Sequence, residues 1–391
     1  MLPGKPLDGI TVLDLTTVVA GPIASLLLAQ QGARVIKVEP PGGDLVRRLG
    51  YIARDGSSST FHVLNRGKEL LCLDLSDEQA RRALQRLIDQ ADVLLHNYRP
   101  AAARKLGLEG AALRASYPSL VIGEVTGFGP WDPLADVRAY DPVIQAESGL
   151  AARPDDQEPA LYPQYICDKV AGMYLCQAVT AALVSRGVDG EGQRVEVSML
   201  EAATAFTWMD VHMPLTLGEP ARAGPNIGKV YRPWRAAGGW FVVVMLSEKE
   251  FSAWCLAVGA PSLMEDARCA DMASRFEHWD VIREVCEPLV AEQSIDDILE
   301  RLRTAGVPAG KVNGPDDIVD HPQLHAGNFL YNAEAPGAGP VTLPGAPIRM
   351  DDTRPGVGSV CSGALGPDTR RVLTRAGVAE DVIKHLCGDA A

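Results

Sequence analysis

The chain has 391 residues, 47% of them hydrophobic, with 50 acidic against 37 basic residues and a formal net charge of −13. That length allows two domains or one large domain with an insertion. The charge argues against a nucleic-acid binder, and no apolar run is long and charge-free enough to span a bilayer.

The first predicted element is a strand in "GITVLDL" (9–15), followed by a core helix in "GPIASLLLAQQGA" (21–33) that Gly32 closes. The apolar stretch from Val18 to Leu28 has no basic leader and does not read as a signal peptide. Further strands are predicted in "RVIKVE" (34–39), "ELLCLDL" (69–75), "DVLLHN" (92–97) and "SLVIGEVTGFG" (119–129). Ser76 or Asp77 is expected to cap the helix in "DEQARRALQRLIDQA". Strands alternating with helices predict an α/β fold with a parallel, doubly wound sheet. Ligands of such sheets sit past the carboxyl ends of the strands, here residues 16–20, 40–44, 97–100 and 127–130.

"YICDKVAGMYLCQAVTAALVSRG" (165–187) predicts a helix, with Val170, Met173, Tyr174, Val179 and Leu183 recurring at helical spacing. Asp168 stands at its opening. On local sequence alone the plainer reading is a helix cap, and the sharper one is a catalytic carboxylate. Another helix is expected near 199–208, then a Gly/Pro-rich connector in "GEPARAGPNIGKVYRPW" (218–234) and a strand in "GWFVVVM" (239–245). Helical patterns follow at 248–258, 276–291 and 295–304. "APGAGPVTLPGAP" (335–347) reads as turn punctuation, and two short helices near 368–376 and 379–387 close the chain.

No nucleotide-binding fingerprint and no Ser–His–Asp set is present. His321 and His325 are four apart, but Pro322 between them argues for a loop, so no metal site is expected. The eight cysteines form no C-x-x-C pair and read as buried thiols of a cytoplasmic protein. Lys37, Arg47, Arg48, Arg66, Lys68, Arg99, Arg104, Lys105 and Arg138 read either as solvated surface or as a set converging on an anionic ligand.

Several motifs then line up in order. The opening "PLDGITVLDLTTVVAGPIASLLLAQQGARVIKVEPPGGD" is followed by "LNRGKELLCLDL", "ADVLLHNYRP", "KLGL", "VTGFGP", "YDPVIQAESGL", "CDKVAG", "GEGQRVEVSMLEA", "AGVPAGKVN" and "LPGAPIRM". The ordered set spans essentially the whole chain. It resembles the class III CoA-transferases, the family of formyl-CoA transferase, carnitine CoA-transferase and alpha-methylacyl-CoA racemase. The resemblance implies a Rossmann-like large domain with a parallel sheet, a smaller α+β domain, and two chains interlocked as a homodimer. On this chain that means residues 1–205 and a returning 331–391 for the large domain, a connector at 206–234, and the smaller domain at 235–330.

The resemblance also implies roles. Asp168, with Ala171 and Gly172, matches the family's D-x-x-A-G nucleophile position. Val19, Ala20, Leu73, Ser76, Asn97, Tyr98, Lys105, Arg138 and Tyr140 match positions that contact coenzyme A. The implied partners are acyl-CoA, a carboxylic acid and a second copy of the chain, with no tightly bound cofactor, no nucleic acid and no membrane. Val19 and Pro40 replace the Gln and Arg of formyl-CoA transferase, and "PNIGKVYRPW" does not reproduce its glycine-rich loop, which argues against formate and oxalate chemistry. Arg232 and Arg235 in "YRPWR" are the candidates for binding a carboxylate of a dicarboxylic acid, against the plainer reading of surface arginines. Two rival functions are a 2-methylacyl-CoA racemase and a non-catalytic CoA-binding protein. A racemase of this family carries histidine directly before the aspartate that Asp141 matches, where this chain has Tyr140.

Overall fold

The computed structural model describes residues 5–152, 158–217, 230–350 and 358–388. Six strands form one sheet: β1 (Thr11–Asp14), β2 (Arg34–Glu39), β3 (Lys68–Cys72), β4 (Val93–His96), β5 (Val121–Thr126) and β6 (Arg194–Ser198). Their order is β3-β2-β1-β4-β5-β6, and every pairing is parallel. Parallel neighbours need crossover connections, and helices supply them. These are α1 (Ala20–Gln30), α2 (Ser59–Asn65), α3 (Glu78–Ile88), α4 (Pro100–Leu106), α5 (Gly110–Ser116), α6 (Asp141–Glu147) and α7 (Ile166–Asp189), and α8 (Met199–Thr207) follows β6.

The core lies on both faces of the sheet, which is why β4 is buried along its whole length. On one face Ala24 and Leu28 of α1, Leu175 and Val179 of α7 and Ala202 of α8 pack on Val12, Val93 and Val121. On the other, Leu84 and Leu87 of α3 pack on Leu13, Ile36, Leu94 and Ile122. The end of the chain joins that second layer through Val372, Leu373 and Ile383. It also covers the free edge of β3. The Leu70 and Cys72 amides donate to the Asp368 carboxylate at 2.9 Å and the Thr369 hydroxyl at 3.0 Å. An edge strand closed in this way offers no template for another chain.

Strand β6 is absent from the sequence reading. Its five residues alternate arginine and glutamate with valine and are mostly half-exposed or exposed, so no continuous apolar signal marks them. The stretch read as punctuation near 335–347 contains half of an antiparallel hairpin, Leu330–Ala335 paired with Gly339–Pro344. Proline is tolerated there because a two-stranded ribbon has free edges on both sides. Asp77, not Ser76, caps α3, accepting from the Gln79 and Ala80 amides.

The chain divides into two compact units, Met1–Met213 with His325–Ala391, and Pro214–Leu324. The smaller unit has a three-stranded antiparallel sheet (Trp234–Ala236, Gly239–Val243, Ala309–Lys311) with helices at Glu248–Val258, Trp279–Ala291 and Ile295–Thr304. Trp234, Phe241, Trp254 and Trp279 form its core. Of the connector expected at 206–234, residues 218–229 lie outside the described residues.

Candidate active site

Strand order reverses between β1 and β4: from β1 the sheet grows one way through β2 and β3, and from β4 the other way through β5 and β6. The two loops leaving β1 and β4 run to opposite sides of the sheet and leave a crevice at the carboxyl ends of these strands. A cavity of about 230 Å³ lies there. Its walls come from residues 17–20 after β1, Asn97 and Arg99 after β4, residues 125–127 at the end of β5, the 135–140 loop, and Asp168.

Asp168 is the third residue of α7, and Tyr165 occupies the cap position without a capping side chain. The cap reading is therefore corrected: Asp168 stands inside the first turn of the helix and not at its cap. Its carboxylate accepts no hydrogen bond among the described residues, and the residue is 7% exposed. Its amide donates to Asp141 Oδ2 at 3.0 Å. Burial, reinforced by the negative charge of Asp141, pushes the Asp168 carboxyl up from 3.8 to about 7. The start of a helix favours an ionised carboxylate, but here desolvation outweighs that preference.

Asp141 opens α6 immediately after Tyr140 and is itself buried. Its other oxygen accepts from Gln145 Nε2 at 2.5 Å, and that amide also donates to the Tyr162 and Gln164 carbonyls at 3.1 Å. The segment entering α7 is thus tied to α6. Helix α7 lies close on α1 because position 172 is glycine: a Cβ there would stand 2.5 Å from the Ala20 carbonyl oxygen and 2.8 Å from Ile23 Cγ2.

The loop after β1 is held from beneath. Asn97 clamps Thr17 in both directions, accepting from its amide at 3.0 Å and donating to its carbonyl at 2.9 Å. Asp14 accepts from the Thr16 amide at 2.9 Å, and from the hydroxyls of Thr16 and Ser25 at 2.5 Å. Lys68 Nζ lies 3.3 Å from Asp14 Oδ2, with both side chains fully buried. Burial would raise the Asp14 carboxyl, but Lys68, Lys37 and the two hydroxyls hold it at about 2. Val18 follows with φ of +68°, a left-handed conformation that costs a β-branched residue roughly 1–2 kcal/mol.

Of the residues matched to coenzyme A, the cavity brings together Val19, Ala20, Asn97, Arg138 and Tyr140 with Asp168. Tyr98 lines an adjoining pocket of about 220 Å³ with Arg104, Trp131 and Arg194. Leu73 is buried in the core, and Ser76 and Lys105 are exposed outside both cavities. Ser76 donates its hydroxyl to Asp74 at 2.7 Å. Among the nine scattered basic residues, Arg99 and Arg138 line the main cavity and Arg104 its neighbour. Lys37, Arg47 and Lys68 are instead spent in buried pairs with Asp44, Glu39 and Asp14.

Arg232 and Arg235 belong to the smaller unit. There they line a cleft with Trp240, Arg283 and Glu287, and the Arg235 guanidinium lies over the Trp240 ring at 5.2 Å. Sequence reasoning missed Thr126 and Met199 as lining residues and Asp141 as the partner of Asp168. Only the strand-end rule points toward Thr17 and Val18.

A family model described as CoA-transferase family III matches residues 7–369. An acetyl-CoA:oxalate CoA-transferase of Acetobacter aceti is 33% identical, over 89% of this chain and 90% of its own length. A succinate–glutarate CoA-transferase of Agrobacterium fabrum is 31% identical, over 90% of this chain and 93% of its own. Among solved structures, a CAIB/BAIF family protein from Brucella suis superposes with a TM-score of 0.84 at 29% identity, covering 96% of this chain and all of that one.

Proposed function

The chain belongs to CoA-transferase family III, transferring coenzyme A between an acyl-CoA and a carboxylic acid, and we propose that Asp168 carries the transfer covalently. The observation behind this is the state of that carboxylate: buried, free of hydrogen bonds among the described residues, and facing a cavity at the sheet's switch point. Such a group is a better nucleophile than a solvated one, because no hydrogen bond has to be broken before it attacks.

In the proposed sequence, an Asp168 oxygen attacks the thioester carbonyl and the C–S bond breaks. This leaves a mixed aspartyl anhydride and CoA thiolate. The thiolate attacks the aspartyl carbonyl, releasing the donor acid and forming an aspartyl-CoA thioester. The acceptor carboxylate displaces the thiolate to give a second mixed anhydride. The thiolate then attacks the acceptor acyl carbon, which yields the new acyl-CoA and frees Asp168. No step consumes a proton, and the anhydride keeps each acyl group activated. Val19, Ala20, Asn97, Arg138 and Tyr140 are proposed to line the thioester end of coenzyme A. Tyr98 would lie toward its nucleotide end, and Leu73, Ser76 and Lys105 are proposed as outer contacts along the same path.

For the acid we propose a dicarboxylate, the class to which the oxalate, succinate and glutarate in the relatives' names belong. Val19 and Pro40 depart from the formyl-CoA transferase pattern, which argues against formate. Arg232 or Arg235 is proposed to bind one of its carboxylates. The racemase reading has less support, since Tyr140 lines the cavity and no histidine does among the described residues. Two copies of the chain are proposed to form the working unit.

Asp168→Asn tests the reading. Turnover should fall by about a thousandfold or more, roughly 4 kcal/mol of barrier. Hydroxylamine trapping of the wild-type protein with an acyl-CoA should mark the peptide containing Asp168. A folded Asp168→Asn protein that transfers coenzyme A at the wild-type rate would sink the proposal. In the same assay, Michaelis constants for dicarboxylates that stay unchanged in both Arg232→Ala and Arg235→Ala would remove those residues from the acid site.

A further inference from the structure

Two non-glycine residues among those described have a positive φ, Val18 and Asn328. Asparagine tolerates that region, but valine holds it only where its surroundings over-determine the backbone. At Val18 the surroundings are Asp44. Both Asp44 carboxylate oxygens lie near the Val18 amide nitrogen, at 3.0 and 3.2 Å, and one also accepts from the Val46 amide at 3.1 Å. Lys37 Nζ, fully buried, pairs with Asp44 at 3.0 Å and donates to the Thr16 carbonyl at 2.7 Å. The Asp44 amide is anchored in turn to Glu39 at 2.9 Å, and Glu39 pairs with Arg47 at 2.7 Å.

Asp44 is not among the residues lining the cavity. Buried ion pairs are weak contributors to stability, because desolvation offsets their attraction. Here a chain of them ends on one amide in the cavity wall. The residues that follow, Val19 and Ala20, open α1 and line the same cavity, and their amides have no acceptor among the described residues. Free amides at a helix start suit the oxygen of a carbonyl under attack.

We infer that Asp44, backed by Lys37, is a positioning residue for coenzyme A transfer: it holds Val18 in the left-handed conformation and so aims the Val19 and Ala20 amides into the cavity. The inference rests on the reading of Asp168 as the reaction centre. Its test is Asp44→Asn, which keeps the shape and one acceptor oxygen but loses the charge that Lys37 pairs with. Per folded active centre, kcat should fall about a hundredfold, the scale of a misplaced reacting group, while KM for acyl-CoA should stay within about threefold. A crystal structure of the variant should show Val18 relaxed to negative φ. Adding Val18→Gly, which accepts positive φ without strain, should bring kcat back to within about fivefold of Val18→Gly alone.

If Asp44→Asn does not fold, the double variant measured against Val18→Gly still decides the matter. A double variant about a hundredfold slower than Val18→Gly overturns the inference, as does wild-type kcat in a folded Asp44→Asn protein. Retained turnover in Asp168→Asn would defeat the reading of the cavity. An unchanged Val18 conformation in Asp44→Asn would defeat this inference alone.

Discussion

At the scale of single residues, the pH behaviour of Asp168 gives two predictions with opposite uses of one shift. Only the ionised carboxylate attacks, so log(kcat/KM) should climb with unit slope below about pH 7 and level off above it. Asp141→Asn keeps an oxygen for the Asp168 amide but removes the neighbouring charge, so the rising limb should move to lower pH. Burial, the larger cause, remains, so the move should be partial. Stability runs the other way. A carboxyl whose folded pKa exceeds its unfolded value of 3.8 binds more protons folded than unfolded between the two values. The wild-type protein should therefore lose up to about 4 kcal/mol as pH rises from about 4 to about 7. Asp168→Asn has no such loss, so its urea midpoint should overtake the wild-type midpoint as pH rises through that window. Identical pH slopes for the two proteins would contradict the raised value. Of this residue's chemistry, the sequence carried its position and, through resemblance, its role. It did not carry the partner: Asp141 is 27 positions away, and no local pattern announces a carboxylate that accepts from a distant amide. The same holds for Asp14 and Lys68, 54 positions apart.

At the scale of elements, the contact of α1 with α7 sets where Asp168 stands, and Gly172 sets that contact. The atom a new Cβ would strike is a backbone carbonyl, which cannot rotate aside as a side chain can. Gly172→Ala should therefore push the two helices apart at a cost of about 1–3 kcal/mol, read as a lower denaturant midpoint. Turnover should fall as well, since Asp168 lies one turn away on the same helix. Full stability and activity in this variant would show that the helices have slack. Elements with a strong apolar signal were legible in the sequence: the first five strands, α1, α3, α7 and the helices of the smaller unit. The short helices α2, α4, α5 and α6 went unread, and two of the other failures share a cause. Strand β6 and the hairpin after residue 330 are half-buried edge structures, whose charged, proline- and glycine-containing residues satisfy their neighbours' backbone without forming an apolar run.

At the scale of the whole molecule, the prediction is a homodimer. Val184 and Val188 of α7 and Phe206 and Met209 at and just beyond the end of α8 are exposed, and a mostly apolar cleft of about 450 Å³ is lined by Tyr174, Ala178, Ala181, Ala202 and Ala205. Exposed apolar surface of this kind is normally covered by another chain. Sedimentation at low micromolar concentration should find a dimer and no folded monomer, and a stable monomer at that concentration would contradict the proposal. The order of synthesis adds a consequence of its own. The groups that close the edge of β3 lie 297 and 298 positions further along the chain. At about 5–20 residues per second, a ribosome takes roughly 15–60 s to travel that distance. Throughout that interval the nascent large unit carries an open parallel-sheet edge and a core layer without its last helices. Its folding on the ribosome is therefore bound to wait for residues 368–373, and protease pulses on stalled nascent chains should find resistance only once those residues have left the exit tunnel.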